Sequence, residues 1–155
     1  MADPVHLHGY RYSVYNRIAR LVLLSKKVEY QTIEVNPFAE LSEAYLMLHP
    51  FGRVPVLTHG VFKLFETSAI TRYIDRAFEG RSLQPEGAAA LARMDQVIAV
   101  IDAYAYRPMV RQVSSHAFSA RFSGSRRAVR RLTRASKHRE KFYRFWTALQ
   151  ERAKS

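Results

Sequence analysis

The chain contains no cysteine. That excludes a disulfide framework, a thiolate metal site and any redox role resting on its own sulfur. No apolar run is long enough to span a bilayer. The first residues, MADPVHLHG, lack a charged n-region and an apolar h-region, so the expectation is a cytoplasmic protein without a signal peptide. Aspartate stops at Asp102, and acidic residues are scarce beyond it. The net charge of +12 is therefore unevenly held. Residues 1–113 carry 13 Lys+Arg and 11 Asp+Glu, a net +2, while residues 114–155 carry 12 and 2, a net +10. Any nucleic-acid affinity argued from basicity belongs to the tail, and a run such as Arg126 to Arg144 is more often solvated than functional. The six histidines show no metal-binding spacing; His6 and His8 alternate on one strand and read as surface.

What is present is a globular composition. The chain is 155 residues long and 48% hydrophobic, which suits one domain or two small ones. Val5 to His8 alternates apolar and polar residues and meets Gly9, which predicts a strand. Val14, Ile18, Leu21 and Val22 fall at helical spacing, with Ser13 as a natural N-cap. Val28 to Val35 alternates again and predicts a second strand. Leu41, Tyr45 and Leu48 give a short helical face. Val54 to Leu57 and Val61 to Phe65 read as a hairpin broken at His59-Gly60. Ile70, Tyr73, Ile74 and Ala77 line a further helix, with Thr67 or Ser68 as its N-cap. The order β-α-β-α-β-β-α is that of a mixed sheet with helices on its faces. Pro55 cannot donate to a ladder, so it predicts either a fixed bend with a cis bond or a tolerated edge-strand proline.

After a linker over residues 80–87, Leu91, Met94, Ile98, Ile101 and Ala105 predict one long, one-sided helix. From Ser114 to Ser136 arginine and serine dominate, and too little apolar area remains to bury a face. Phe142, Phe145, Trp146 and Leu149 return at helical spacing. A shifted reading frame after about Val113 would give a composition of this kind.

The stretch His49-Pro50-Phe51-Gly52-Arg53-Val54-Pro55-Val56-Leu57, followed by Glu66-Thr67-Ser68-Ala69-Ile70-Thr71-Arg72-Tyr73-Ile74, resembles the cytosolic glutathione transferases. There an N-P-F-G-x-V-P-x-L run carries a cis-proline and E-S-x-A-I-x-x-Y-I follows. The resemblance covers about the first two-thirds of the chain and is nearest to the serine-using bacterial, phi-like and theta-like branches. It implies a thioredoxin-like α/β domain over residues 1–81 and a shortened all-α domain over residues 86–155, atypical from 114 onward. It also implies an enzyme that joins the glutathione thiolate to a small electrophile, with glutathione as co-substrate and no metal. Val54 and Pro55 would dock the cysteinyl backbone, and Glu66 and Thr67 the γ-glutamyl end. Arg53 stands where related branches often carry glutamine and could pair with a glutathione carboxylate. Ser13 matches the catalytic hydroxyl by spacing; Tyr10 and Tyr12 are rival donors. Glu40 and Leu41 occupy the region where relatives place a basic clasp. The family dimerises, and a curtailed helical domain implies a weakened homodimer, with Phe51 and Tyr73 at its contact. A non-catalytic binding protein of the same fold and a nucleic-acid-associated protein acting through its tail are the alternatives.

Overall fold

The computed structural model describes residues 3–106 together with 144 and 147. Apart from Arg144 and Thr147, the residues on which the expectations for 114–155 rest lie outside the described residues. The chain divides into two compact units, Met1–Pro85 and Glu86–Ser155.

The first unit is built on a four-stranded sheet. Strand β1 (Val5–Gly9) pairs in parallel with β2 (Gln31–Glu34) and antiparallel with β3 (Val56–His59), and β3 continues into β4 (Phe62–Phe65). The spatial order is β2-β1-β3-β4. Val5, Leu7 and Gly9 are buried while His6 and His8 are half-buried, the alternation that a pleated strand imposes. Leu7 pairs with Leu57 on one face, where Ala19 and Leu23 of α1 (Val14–Ser25) and Ile70 and Ile74 of α3 (Thr67–Ala77) complete the core. His8 pairs with Val56 on the opposite face, where its ring lies 6.5 Å from that of Tyr45 in the short helix α2 (Glu43–Leu46).

Three boundaries differ from the sequence expectations. Strand β2 is half the predicted length. The chain leaving α1 turns through Lys27 at φ 55°, and the Val28 N–H bonds back to the Leu23 carbonyl at 3.0 Å. Val28 and Tyr30 pack on the core before pairing with β1 begins. In the hairpin His59 pairs with Phe62, so the two-residue loop is Gly60-Val61, one step later than predicted. Gly60 sits at φ +56°, a conformation that favours glycine. The N-cap of α3 is Glu66, not Thr67 or Ser68, with φ 70° and no side-chain cap bond.

In the second unit, helix α4 (Ala88–Val100) carries half-buried Leu91, Met94, Val97 and Ile98 on one side. It then widens into a π-turn over Ile101–Ala105 instead of continuing regularly. Within that turn Ile101 is 37% exposed and Ala105 3% exposed.

Candidate functional site

The register of the sheet brings four chain segments to one end. Gly9, the last residue of β1, pairs with Glu34, the last of β2. His8 pairs with Val56, the first residue of β3, which in turn pairs with Phe65, the last of β4. The Tyr10–Ser13 turn, the Val54-Pro55 peptide and Glu66-Thr67 therefore leave the sheet at the same end. Helices α1 and α3 both start there, and each offers unsatisfied N–H groups and a partial positive charge.

Ser13 caps α1: its Oγ accepts the Asn16 N–H at 3.3 Å. Among the described residues its own O–H finds no acceptor. The residue is half-buried, so a ligand can reach it. The turn before it is closed by the Ser13 N–H donating to the Tyr10 carbonyl at 2.9 Å. The Asn16 side chain donates to the same carbonyl at 3.1 Å. Asn16 is 4% exposed, and a Cβ on Gly9 would lie 2.2 Å from its Oδ1. Glycine at position 9 is thus required by the amide lying against it. Arg11 pairs with Glu34 at 3.4 Å, an exposed contact that adds little stability. The Tyr10 ring meets Tyr12 and Phe38 edge-on at 5.4 and 5.7 Å.

The Val54-Pro55 bond is cis, and β3 pairing starts only at Val56. Val54 therefore stands outside the ladder. The loop leading to it is held by the Tyr45 hydroxyl, which donates to the Arg53 carbonyl at 2.6 Å. Burial pushes that phenol up to about 12. Arg53 itself is exposed, so its guanidinium is available at the rim.

Glu66 is an exposed, non-glycine residue at φ 70°. Such backbone costs on the order of 1–3 kcal/mol and concentrates at functional sites. The conformation swings Glu66 out of the helix and leaves the first N–H groups of α3 without a side-chain cap. Thr67 is the first residue of that helix.

His49 is the residue that sequence reasoning passed over. It is 2% exposed, and its ring lies 4.6 Å from Phe65. Among the described residues its Nδ1 has no partner. The signal was available, because histidine stands where the family's motif has asparagine. Burial holds the His49 pKa below the usual histidine value; the Glu66 charge opposes this and the Arg53 charge adds to it. The imidazole is therefore neutral in the native state, whereas the unfolded chain takes up the proton below about pH 6.5. The stability His49 contributes is complete above that value and is lost as pH falls through its lower native pKa. His8, lowered by burial and by the charge of His6, acts in the same direction. The melting temperature should fall between pH 7.5 and 5.5, and His49→Asn should flatten that slope. An unchanged slope in the variant would remove His49 from the account.

A cleft of about 490 Å³ opens on the α2 side, lined by His8, Ile33, Glu40, Leu41, Tyr45 and neighbours. Ser13, Val54, Pro55, Glu66 and Thr67 are not among its lining residues, though Tyr45, which holds the Arg53 carbonyl, is. Glu40 and Leu41 line it without supplying a cation. No group of three metal-ligating side chains occurs among the described residues.

The chain resembles known proteins in sequence and fold. The family model of the glutathione S-transferase N-terminal domain matches residues 3–76. Glutathione S-transferase F4 of Arabidopsis thaliana is 36% identical over 80 residues, covering 50% of this chain and 33% of that protein. Glutathione S-transferase omega-2 of Rattus norvegicus is 34% identical over 82 residues, covering 52% and 33%. The matched stretch thus spans a third of these relatives' length. Among solved structures, the theta class glutathione S-transferase of Xanthomonas axonopodis pv. citri, determined with glutathione bound, superposes with a TM-score of 0.76. It is 26% identical, covering 94% of this chain and 70% of that one.

Proposed function

Residues 3–76 belong to the glutathione S-transferase N-terminal domain family, and on that premise we propose that this protein binds glutathione and joins its thiolate to a small electrophile. One observation carries the reading: two helix N-termini, an unpaired stretch of backbone at Val54 and a serine hydroxyl with a proton to donate converge at one end of the sheet. Each matches a part of the tripeptide. Val54 offers main-chain N–H and C=O to the cysteinyl residue, as an added strand would be held. The Glu66 carboxylate pairs with the γ-glutamyl amine, while the Thr67 hydroxyl and the first N–H groups of α3 hold its carboxylate. Arg53 reaches the glycine end.

The sulfur then lies by Ser13. A thiol is a poor nucleophile until it ionises. A hydroxyl donating to the thiolate, beside the positive end of α1, favours the charged form and lowers the thiol pKa. The chemistry is one displacement: the sulfur lone pair forms the new bond, the electrophile's leaving group departs with its pair, and the thiol proton passes to solvent. Tyr12, 69% exposed, and Tyr10 remain the rival donors. The protein would work in the cytoplasm, removing reactive electrophiles. It would also form a weak homodimer, with the 72% exposed Phe51 at the contact.

Titration of the full chain with glutathione by calorimetry, followed by turnover of a generic aryl halide, tests this. Binding with turnover supports the proposal. Binding without turnover leaves a non-catalytic glutathione-binding protein, and absence of binding removes both.

Glu66 offers a sharper test, because its two roles oppose each other. Glu66→Gly should relieve the backbone strain and raise stability by about 1 kcal/mol. The same change should weaken glutathione binding roughly tenfold through the lost charged hydrogen bond. Glu66→Gln keeps the strain and should lose affinity only. If Glu66→Gly binds glutathione as well as the unaltered chain, the γ-glutamyl assignment is wrong.

A further inference from the structure

We propose that Asn16 is a positioning residue for the Ser13 hydroxyl: its side-chain amide clamps the Tyr10–Ser13 turn from beneath and so fixes where that hydroxyl donates. The inference rests on the reading of Ser13 as the partner of the thiolate.

Asn16 touches the turn twice. Its main-chain N–H donates to Ser13 Oγ at 3.3 Å, which engages one lone pair and restricts the directions open to the O–H. Its Nδ2 donates to the Tyr10 carbonyl at 3.1 Å, the carbonyl that also receives the Ser13 N–H at 2.9 Å. One oxygen therefore ties the start of the turn both to its end and to the body of α1. The other side of the amide is less well served. Oδ1 is buried and has no hydrogen-bond partner among the described residues, which carries a desolvation cost. It lies over Gly9, where a Cβ would come within 2.2 Å. An apolar side chain of the same shape would fill that space without the cost. What the position gains from an amide is the bond to Tyr10.

That bond acts on chemistry through geometry. A hydrogen bond to a thiolate weakens steeply as its angle opens, so slack in the Tyr10–Ser13 turn reduces stabilisation of the anion. The main-chain contact from Asn16 to Oγ survives any side-chain change. Substitution therefore isolates the clamp from the cap.

The test uses the full chain with glutathione as the probe. It follows ionisation of the bound thiol through the ultraviolet absorbance of the thiolate, and the pH profile of kcat with an aryl halide. Asn16→Leu keeps the branched shape at a larger volume and removes both polar atoms; Asn16→Ala removes the side chain beyond Cβ. Asn16→Leu should melt at or above the temperature of the unaltered chain, because the orphan acceptor is gone. Both variants should raise the bound thiol's pKa by about half to one unit. The kcat at pH 6.5 should fall about three- to tenfold, recover as pH rises past the new pKa, and leave glutathione affinity within about twofold. In a Ser13→Ala background the Asn16 changes should add nothing, since both act on one hydrogen bond. The proposal is overturned if Ser13→Ala shifts the thiol titration while a folded Asn16→Leu leaves it unchanged. It is overturned as well if activity loss in the Asn16 variants merely tracks loss of stability. If Ser13→Ala itself leaves the titration in place, the reading of Ser13 fails first and takes this inference with it.

Discussion

Ser13→Ala should slow conjugation by about ten- to a hundredfold, the largest effect on activity expected from any one hydroxyl at the site. The substitution removes a single oxygen from a half-buried position. Losing a hydrogen bond to a charged group costs roughly 1.5–3 kcal/mol, which in a rate is about one to two orders of magnitude. The loss should appear in kcat and in the thiol titration. Glutathione affinity should move far less, because in the proposed function Val54, Glu66 and Thr67 hold the tripeptide. Stability should drop by around 1 kcal/mol through the lost cap on the Asn16 N–H. Tyr10→Phe and Tyr12→Phe are the controls, each deleting a hydroxyl alone. If turnover survives in Ser13→Ala and one tyrosine change abolishes it, the donor is a tyrosine. The fold assignment would stand and the serine assignment would not.

The largest effect on stability is expected at the other ends of the same two helices. Lys26, the C-cap of α1, and Asp75, near the end of α3, form an ion pair at 3.3 Å with side-chain exposures of 2% and 4%. The lysine also donates to the Gly80 and Arg81 carbonyls, each at 3.3 Å. Asp75 accepts from the Leu83 N–H and the Gln84 side chain, both at 2.9 Å, and from the Ser82 hydroxyl at 3.4 Å. Each charge is thus surrounded by partners, and the strap over residues 80–84 is bound to both. Burial alone would raise the Asp75 pKa. The hydrogen bonds from Gln84, Leu83 and Lys26, and the lysine's charge, outweigh it and hold the carboxyl below its usual range. Its contribution is therefore present above the unfolded value of 3.8 and is lost as pH falls through the lower native pKa.

Lys26→Met leaves Asp75 charged, buried and unpaired, and strips the two strap carbonyls of a donor. Breaking one side of such a pair costs about 3–5 kcal/mol, a large part of the total for a domain of this size. Urea unfolding at pH 7 measures it. Lys26→Met with Asp75→Asn should recover much of the loss, because no lone charge remains. Should the single variant lose less than about 1 kcal/mol, the pair is wetter than its burial indicates. Because α1 and α3 present Ser13 and Thr67 from their opposite ends, a loosened pair should also weaken glutathione binding.

How far the sequence reached depends on how far apart the interacting residues lie. The alternation of Val5, Leu7 and Gly9, the faces of α1 and α3 and the Ser13 cap were legible, because a strand period, a helix period and an i-to-i+3 bond join residues within one or two turns. The match around His49–Leu57 and Glu66–Ile74 singled out segments that the sheet register gathers at one end. Proline among β-formers left the Val54-Pro55 geometry open between two readings; the structure holds it cis. Periodicity was silent where tertiary contacts decide. The alternation of Val28 to Val35 is the same whether or not β1 is there to pair with it, and only four of those residues lie in the strand. Thr67 is a good cap by type, yet the turn out of β4 puts Glu66 at the cap with positive φ. Nothing in the period of α1 marks Asn16 or Lys26; Gly9 and Asp75 meet them only in the folded chain. Lys26 and Asp75 stand 49 residues apart, and a buried charge looks like any other lysine in the sequence. Local propensity reports what a residue does with its chain neighbours. The partner that makes a buried amide or ammonium tolerable is supplied only when helices and strands pack.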